Sequence, residues 1–218
     1  LDSALFPRLR DAAGDVRIMT FGTAQNATAR LVDMEADADG SGILAEIAGH
    51  EIRFRLNAPG RHMALNGLAA LAAAHVLGLD PHKAAQALEG FTALSGRGAR
   101  RKLALPAGTA LLLDESYNGN GASMRAALDV LRLQPGRRRL AVLGDMLELG
   151  SAGPAEHADL AGTVAQSADL LFTCGPLMRH LFDAVPAALR GAHAADSADL
   201  APIVAQAVTT GDAILVKG

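Results

Sequence analysis

Apolar positions along the chain change their period once. Over residues 30–56 they fall into three short strand-like runs, 30–35, 43–47 and 52–56, separated by the turn signals Asp39-Gly40-Ser41-Gly42 and Gly49-His50. In the last run Ile52, Phe54 and Leu56 point one way while Arg53 and Arg55 point the other, the signature of a strand with one wet face. These runs predict an antiparallel meander. Ahead of it, residues 5–13 read as a helix and 16–21 as a strand. Behind it, the Ala- and Leu-rich stretch 60–77 reads as a helix stopped by Gly78. Asp80 then caps a helix over 81–89, because a proline at the first helical position lacks only an amide that would have had no partner there.

From Lys102 onward strands and helices alternate. The pattern predicts strands at 110–113, 140–143, 170–174 and 213–216, with a short one near Ala192. Helices are expected at about 122–133, 154–166, 177–184 and 200–208. Alternation at this spacing gives an α/β fold whose second part is a Rossmann-like, mostly parallel sheet covered on both faces. The change of period places a hinge at residues 95–98 and divides the chain into 1–96 and 97–218.

Polar residues with chemical potential collect at the ends of the second part's strands. The run Leu111, Leu112, Leu113 stops at Asp114 and Glu115, passes through Ser116, Tyr117, Asn118, Gly119 and Asn120, and enters a helix. The run 140–143 stops at Gly144 and Asp145, with Glu148 following. Neighbouring parallel strands present their carboxyl ends at one edge, where open α/β sheets bind ligands, so Asp114, Glu115, Asn118, Asn120 and Asp145 are expected in one crevice. A helix cap made by Asn120 or Ser123 is compatible with that role. Arg97 stands between Gly96 and Gly98 with its guanidinium unshielded, and its planar fork suits phosphate or ribose; a solvated hinge arginine is the alternative. His62 and Asn66, four residues apart, share one helix face, where they meet either a ligand or a capping or core contact. Gly96-Arg97-Gly98 is not a dinucleotide fingerprint, since Arg101 occupies the third glycine position.

Composition narrows the function. Half of the 218 residues are apolar, and a net charge of −3 gives no electrostatic reason to expect nucleic acid. Arg137, Arg138 and Arg139 read as a solvated turn. Cys174 is alone, which excludes an intrachain disulfide, reads as a buried strand end and agrees with a reducing cytoplasm. The most apolar segment, 67–79, is broken by His75 and is too short to span a bilayer. No His or Cys spacing suggests a metal site, and Ser116 and Ser123 have no relay partner that would make a nucleophile. The only lysines, Lys83, Lys102 and Lys217, lie outside any Gly-x-x-x-x-Gly-Lys-Ser/Thr loop, so a phosphate cradle is absent.

Four segments, NAPGRHMALNGLAAL from Asn57, FTALSGRG from Phe91, DESYNGNGASMRAAL from Asp114 and LGDMLELG from Leu143, together with the closing ILVKG, resemble in order the motifs of the Mur ligase family, and specifically of its members that add D-alanyl-D-alanine to UDP-N-acetylmuramoyl-tripeptide. The resemblance implies the tail of a central ATP-binding domain, with its small antiparallel sheet and helices, followed by the family's C-terminal domain. It implies an ATP- and Mg2+-dependent amide ligase of the bacterial cytoplasm, monomeric, working through an acyl phosphate. His62, Asn66, Arg97 and Asp114 or Glu115 would face ATP. Tyr117, Asn118, Asn120, Asp145, Glu148, His157 and Lys217 would belong to the substrate or closure loops. Met63 stands where the family carries the first Asn of its His-Asn-x-x-Asn motif, and Glu115 where it carries Asp. Both chain ends read as cut, so the expectation is part of a longer enzyme, inactive alone. A non-catalytic nucleotide-binding or regulatory α/β module, and a structural domain pair without ligand affinity, are the alternatives.

Overall fold

The computed structural model describes residues 1–218, which fold as two compact units, Leu1–Thr92 and Ala93–Gly218. In the first, helix α1 (Phe6–Ala13) precedes a four-stranded sheet in the order β1 (Phe21–Gly22), β2 (Ala29–Ala36), β3 (Ser41–Ile47), β4 (His50–Leu56). Strands β2 to β4 form the expected antiparallel meander, and β1 pairs in parallel with β2. The strand expected over 16–21 shrinks to Phe21–Gly22. Val16 and Ile18 remain exposed, so no apolar face draws that segment into the ladder. Helices α2 (Arg61–Val76) and α3 (Pro81–Glu89) cover the sheet, with Leu68 and Leu71 packed against Ile43, Phe54 and Leu56 in one core. The Asp80 carboxylate accepts from the His82 amide at 2.8 Å, the cap its position before Pro81 predicts.

The second unit is a six-stranded sheet built from β5 (Ala99–Leu105), β6 (Gly108–Glu115), β7 (Arg139–Gly144), β8 (Leu170–Cys174), β9 (Arg190–Ala194) and β10 (Ala213–Lys217), in the spatial order β5-β6-β10-β7-β8-β9. All neighbours are parallel except the β5–β6 hairpin. Strand β5 goes unsuspected in the sequence because Arg100, Arg101 and Lys102 interrupt any apolar pattern; it is an edge strand, where such cations block further pairing. Helices α4 (Gly121–Leu133), α5 (Gly153–Ala158), α6 (Ala161–Ser167), α7 (Met178–Ala184) and α8 (Ser197–Ala207) connect the strands. The single helix expected over 154–166 is two, α5 and α6. One face of the sheet buries Leu113, Leu143, Leu171 and Leu215 with Met124, Leu128 and Leu131 of α4; the other carries Leu112, Val142, Phe172 and Ile214 toward Leu200 and Val204 of α8. No helix is long and apolar enough to cross a membrane.

Candidate functional site

Strands β6, β10, β7 and β8 end along one edge at Glu115, Lys217, Gly144 and Cys174. Successive strand residues face opposite sides of a sheet, so Asp114 and Glu115, though adjacent, are sent apart. Glu115 shares its face with Lys217, its register partner on β10. The Lys217 ammonium is nearly buried, lies 3.8 Å from a Glu115 carboxylate oxygen and donates to the Asn118 carbonyl at 2.9 Å, tying the loop after β6 to the end of β10. Burial lowers the Lys217 pKa against the pull of Glu115, and burial raises that of Glu115 against the pull of Lys217. Each charge is therefore held in a poorly hydrated place, where a polar ligand group would be felt strongly.

Asp114 turns to the other side. One of its oxygens accepts from the Ser95 hydroxyl and the Gly96 amide, each at 3.0 Å; the other accepts from the Ser116 hydroxyl at 2.6 Å. These bonds, led by that from Ser116, hold its carboxyl below the ordinary range despite partial burial. Residues 95–98 are further fixed by the Tyr117 amide donating to the Gly96 carbonyl and the Gly98 amide to the Asp114 carbonyl. The segment expected to be a free hinge is thus stapled to the second unit, and the compact units part between Thr92 and Ala93. Gly96 has φ +77°, and a Cβ there would come within 3.1 Å of the Tyr117 side chain. Over this platform the exposed Arg97 guanidinium stacks on the Tyr117 ring, 3.9 Å from its centroid.

Other predicted residues serve local structure. Asn120 caps α4 in a reciprocal box, its side-chain oxygen accepting from the Ser123 amide at 2.8 Å while the Ser123 hydroxyl accepts from the Asn120 amide. The side-chain oxygen of Asn118 accepts from the Gly119 amide. Asp145 receives the Leu177 and Met178 amides at 3.1 and 2.7 Å, placing its charge on the N-terminus of α7. Gly175 at φ +99° makes room for it, since a Cβ would lie 2.5 Å from the Asp145 carboxyl carbon. His157 is fully buried: its Nε2 accepts from the Met146 amide at 2.9 Å, which leaves Nδ1 to donate to the Gly153 carbonyl at 2.6 Å. It clamps the segment that carries Glu148, which is exposed at φ +64°. In the first unit, Asn66 is exposed and His62 half-buried on α2. Ser95 and Ser116, the donors that gather the Arg97 segment, had no signal of their own beyond standing next to glycine and acid.

Of the arginine cluster, Arg137 is exposed as the solvated-turn reading expects, but Arg138 and Arg139 are half-buried. Arg138 forms a two-point ion pair with the fully buried Asp212, at 3.0 and 2.6 Å, and Arg139 pairs with Asp169. Both carboxylates stand at the entries to neighbouring strands, which gives the cations a fixed destination. Cys174 ends β8 as expected but is half-buried rather than buried; partial burial, with Asp145 and Asp196 nearby, pushes its thiol pKa up and away from nucleophilic use. A cavity of about 910 Å³ lies between part of α8 and the sheet, lined by Leu112, Val142, Ile214, Leu200 and Val204 and also by Ser116, Asp145 and Lys217. No three His, Cys, Asp or Glu side chains converge to hold a metal ion.

The arrangement matches known proteins in both sequence and fold. Residues 96–218 match the family model for the Mur ligase glutamate ligase domain. The chain is 36% identical over 189 residues to the UDP-N-acetylmuramoyl-tripeptide–D-alanyl-D-alanine ligase of Synechocystis, covering 85% of this chain and 39% of that protein. It is 32% identical over 214 residues to the UDP-N-acetylmuramate–L-alanine ligase of Salinispora arenicola, covering 93% and 41%. Its fold superposes on MurF from Acinetobacter baumannii with a TM-score of 0.84 at 25% identity, over 99% of this chain and 46% of that one. The chain thus spans about two-fifths of the length of these curated relatives. With a family model covering more than half of its residues and a shared fold behind it, the chain belongs to the Mur ligase family.

Proposed function

We propose that these 218 residues work as part of an ATP-dependent amide ligase that joins D-alanyl-D-alanine to UDP-N-acetylmuramoyl-tripeptide in the bacterial cytoplasm. The observation that carries this reading is the 36% identity to the Synechocystis ligase of that specificity, running through the DESYNGN and LGDMLELG segments. ATP would phosphorylate the tripeptide carboxylate, releasing ADP, and the amine of the dipeptide would then attack the acyl phosphate, forming the amide, losing a proton and expelling inorganic phosphate. The chain's own contribution is positioning and electrostatics, the terms that dominate such transfers. Arg97 offers a charged fork on an aromatic rest, which suits a phosphate or ribose oxygen. Glu115 is the better acceptor for ribose hydroxyls, because the oxygens of Asp114 already receive Ser95, Gly96 and Ser116. In the first unit, Asn66, exposed on α2, is by the family resemblance a separate candidate for contact with adenine. With no phosphate loop and no converging metal ligands in these residues, the phosphate cradle and magnesium would be supplied from elsewhere in the enzyme.

The similarity to an L-alanine-adding ligase favours a second reading within the same family. Release of ADP by the intact ligase separates the two. Release that requires both the UDP-muramoyl tripeptide and D-alanyl-D-alanine supports the proposal. Release with UDP-N-acetylmuramate and L-alanine supports the second reading, and failure of both substrate pairs rejects the ligase assignment. The 218 residues alone are expected to show neither reaction.

A further inference from the structure

The acid pair at the end of β6 divides its work, and the half facing away from Lys217 has no established task. Asp114 gathers two segments: its carboxylate receives the Ser95 hydroxyl and Gly96 amide from the chain entering the unit, and the Ser116 hydroxyl from the chain leaving β6. Arg101 adds a cation at 3.5 Å and also donates to Ser95 at 2.6 Å. Immediately beyond the gathered residues stand Arg97 and Tyr117, whose stack joins the same two segments. Gly96, pressed against the Tyr117 backbone, and the Tyr117 amide bond to the Gly96 carbonyl fix the spacing between them. A free arginine side chain on an exposed loop would sample many rotamers; here the Asp114 carboxylate, together with the backbone bond from Tyr117 to Gly96, draws its loop and its resting surface together.

We propose that Asp114 is a positioning residue: a clasp that docks residues 95–96 on residue 116 and thereby sets the Arg97 guanidinium on Tyr117, ready for an anionic ligand such as a nucleotide phosphate. Asp114 itself touches no ligand in this scheme. That the anion is a nucleotide rests on the ligase reading, whereas the clasp can be tested without any ligand.

Tyr117 is the only tyrosine of the chain and there is no tryptophan, so tyrosine emission reports on this one ring. Acrylamide quenching of that emission measures how far the ring is uncovered. In the 218-residue chain, Arg97→Ala should raise the quenching constant by exposing the covered face. Asp114→Ala should raise it to the same level, and the double variant should show no further rise, because both changes remove one arrangement. Additive rises, or an Asp114→Ala ring as protected as wild type, would overturn the clasp. Circular dichroism checks that each variant is folded. Ser95→Ala, which deletes only one exposed donor, supplies the same test should Asp114→Ala fail to fold: a partial rise that vanishes in the Arg97→Ala background supports the clasp, and a rise that persists there refutes it. In the intact ligase, Asp114→Ala should raise the KM for ATP as Arg97→Ala does and spare kcat. The reverse split, with quenching coupled as stated, would leave the clasp standing and reject the nucleotide as its ligand.

Discussion

Replacing Arg138 by alanine should destabilise the second unit by orphaning a buried carboxylate. Asp212 is fully enclosed at the entry to β10, and its carboxylate receives Arg138 at 3.0 and 2.6 Å, the Thr209 amide at 2.7 Å and the Thr209 hydroxyl at 3.2 Å. Arg138 also donates to the Ala207 carbonyl, so one guanidinium ties β7 to the turn after α8. Removing it strands a buried carboxylate with only Thr209. Breaking a buried pair from one side costs about 3–5 kcal/mol, and since the Arg138 side chain is 32% exposed, water can partly replace it, which sets the expectation near the lower end, at about 3 kcal/mol. For a domain of this size the loss corresponds to a fall of roughly 10 °C in Tm. Burial alone would raise the Asp212 pKa, but Arg138 and Thr209 outweigh it and hold the value below the ordinary carboxylate range. A depressed folded-state value means that the stabilisation is complete above the unfolded-state pKa of about 4 and is lost as pH falls through the folded-state value. Urea unfolding of wild type and Arg138→Ala, repeated from neutral to acidic pH, should show the gap between them narrow in acid. A loss under about 1 kcal/mol at neutral pH would refute the pairing argument.

Two further outcomes follow from the same packing. His157→Leu leaves the Met146 amide without its partner inside the core and takes the side-chain donor from the Gly153 carbonyl, which should cost roughly 1–3 kcal/mol by chemical denaturation; a loss near zero would mean that this clamp is dispensable. Residues 93–218 expressed alone should unfold cooperatively and with a higher urea midpoint than residues 100–218, because only the longer piece keeps Ser95 and Gly96 on Asp114; equal midpoints would mean that the stapling contributes nothing.

The architecture was legible wherever one face of an element is apolar. The meander, the helix after Asp80 and the alternating strands of the second unit all follow from period and caps. The strand β5 was not, because an edge strand need not alternate and this one carries three consecutive cations. The same limit applies to the site. That Asp114 and Glu115 sit at a carboxyl edge is readable from where the apolar run stops, and their divergence follows from the pleat. Where each goes is not readable, since Ser95 and Lys217 come from distant stretches of chain that only the sheet order brings together. For the same reason the partners of Arg138 and Arg139, Asp212 and Asp169, are not readable from the cluster itself. Asp145 is legible as the acid at which an apolar run stops and His157 only through the family resemblance, and the structure gives both a helix or loop to hold.

The central claim is that the β6 and β10 edge of the second unit, through Arg97 and Glu115, forms part of a nucleotide site in a Mur ligase. Steady-state kinetics of Arg97→Ala and Glu115→Gln in the intact ligase test it most directly, with glutamine chosen to keep the shape beside Lys217. Loss of a charge-assisted contact of roughly 1.5–3 kcal/mol should raise the KM for ATP about ten-fold or more, with little change in kcat. An unchanged KM for ATP in both variants, with folding intact, would contradict the account.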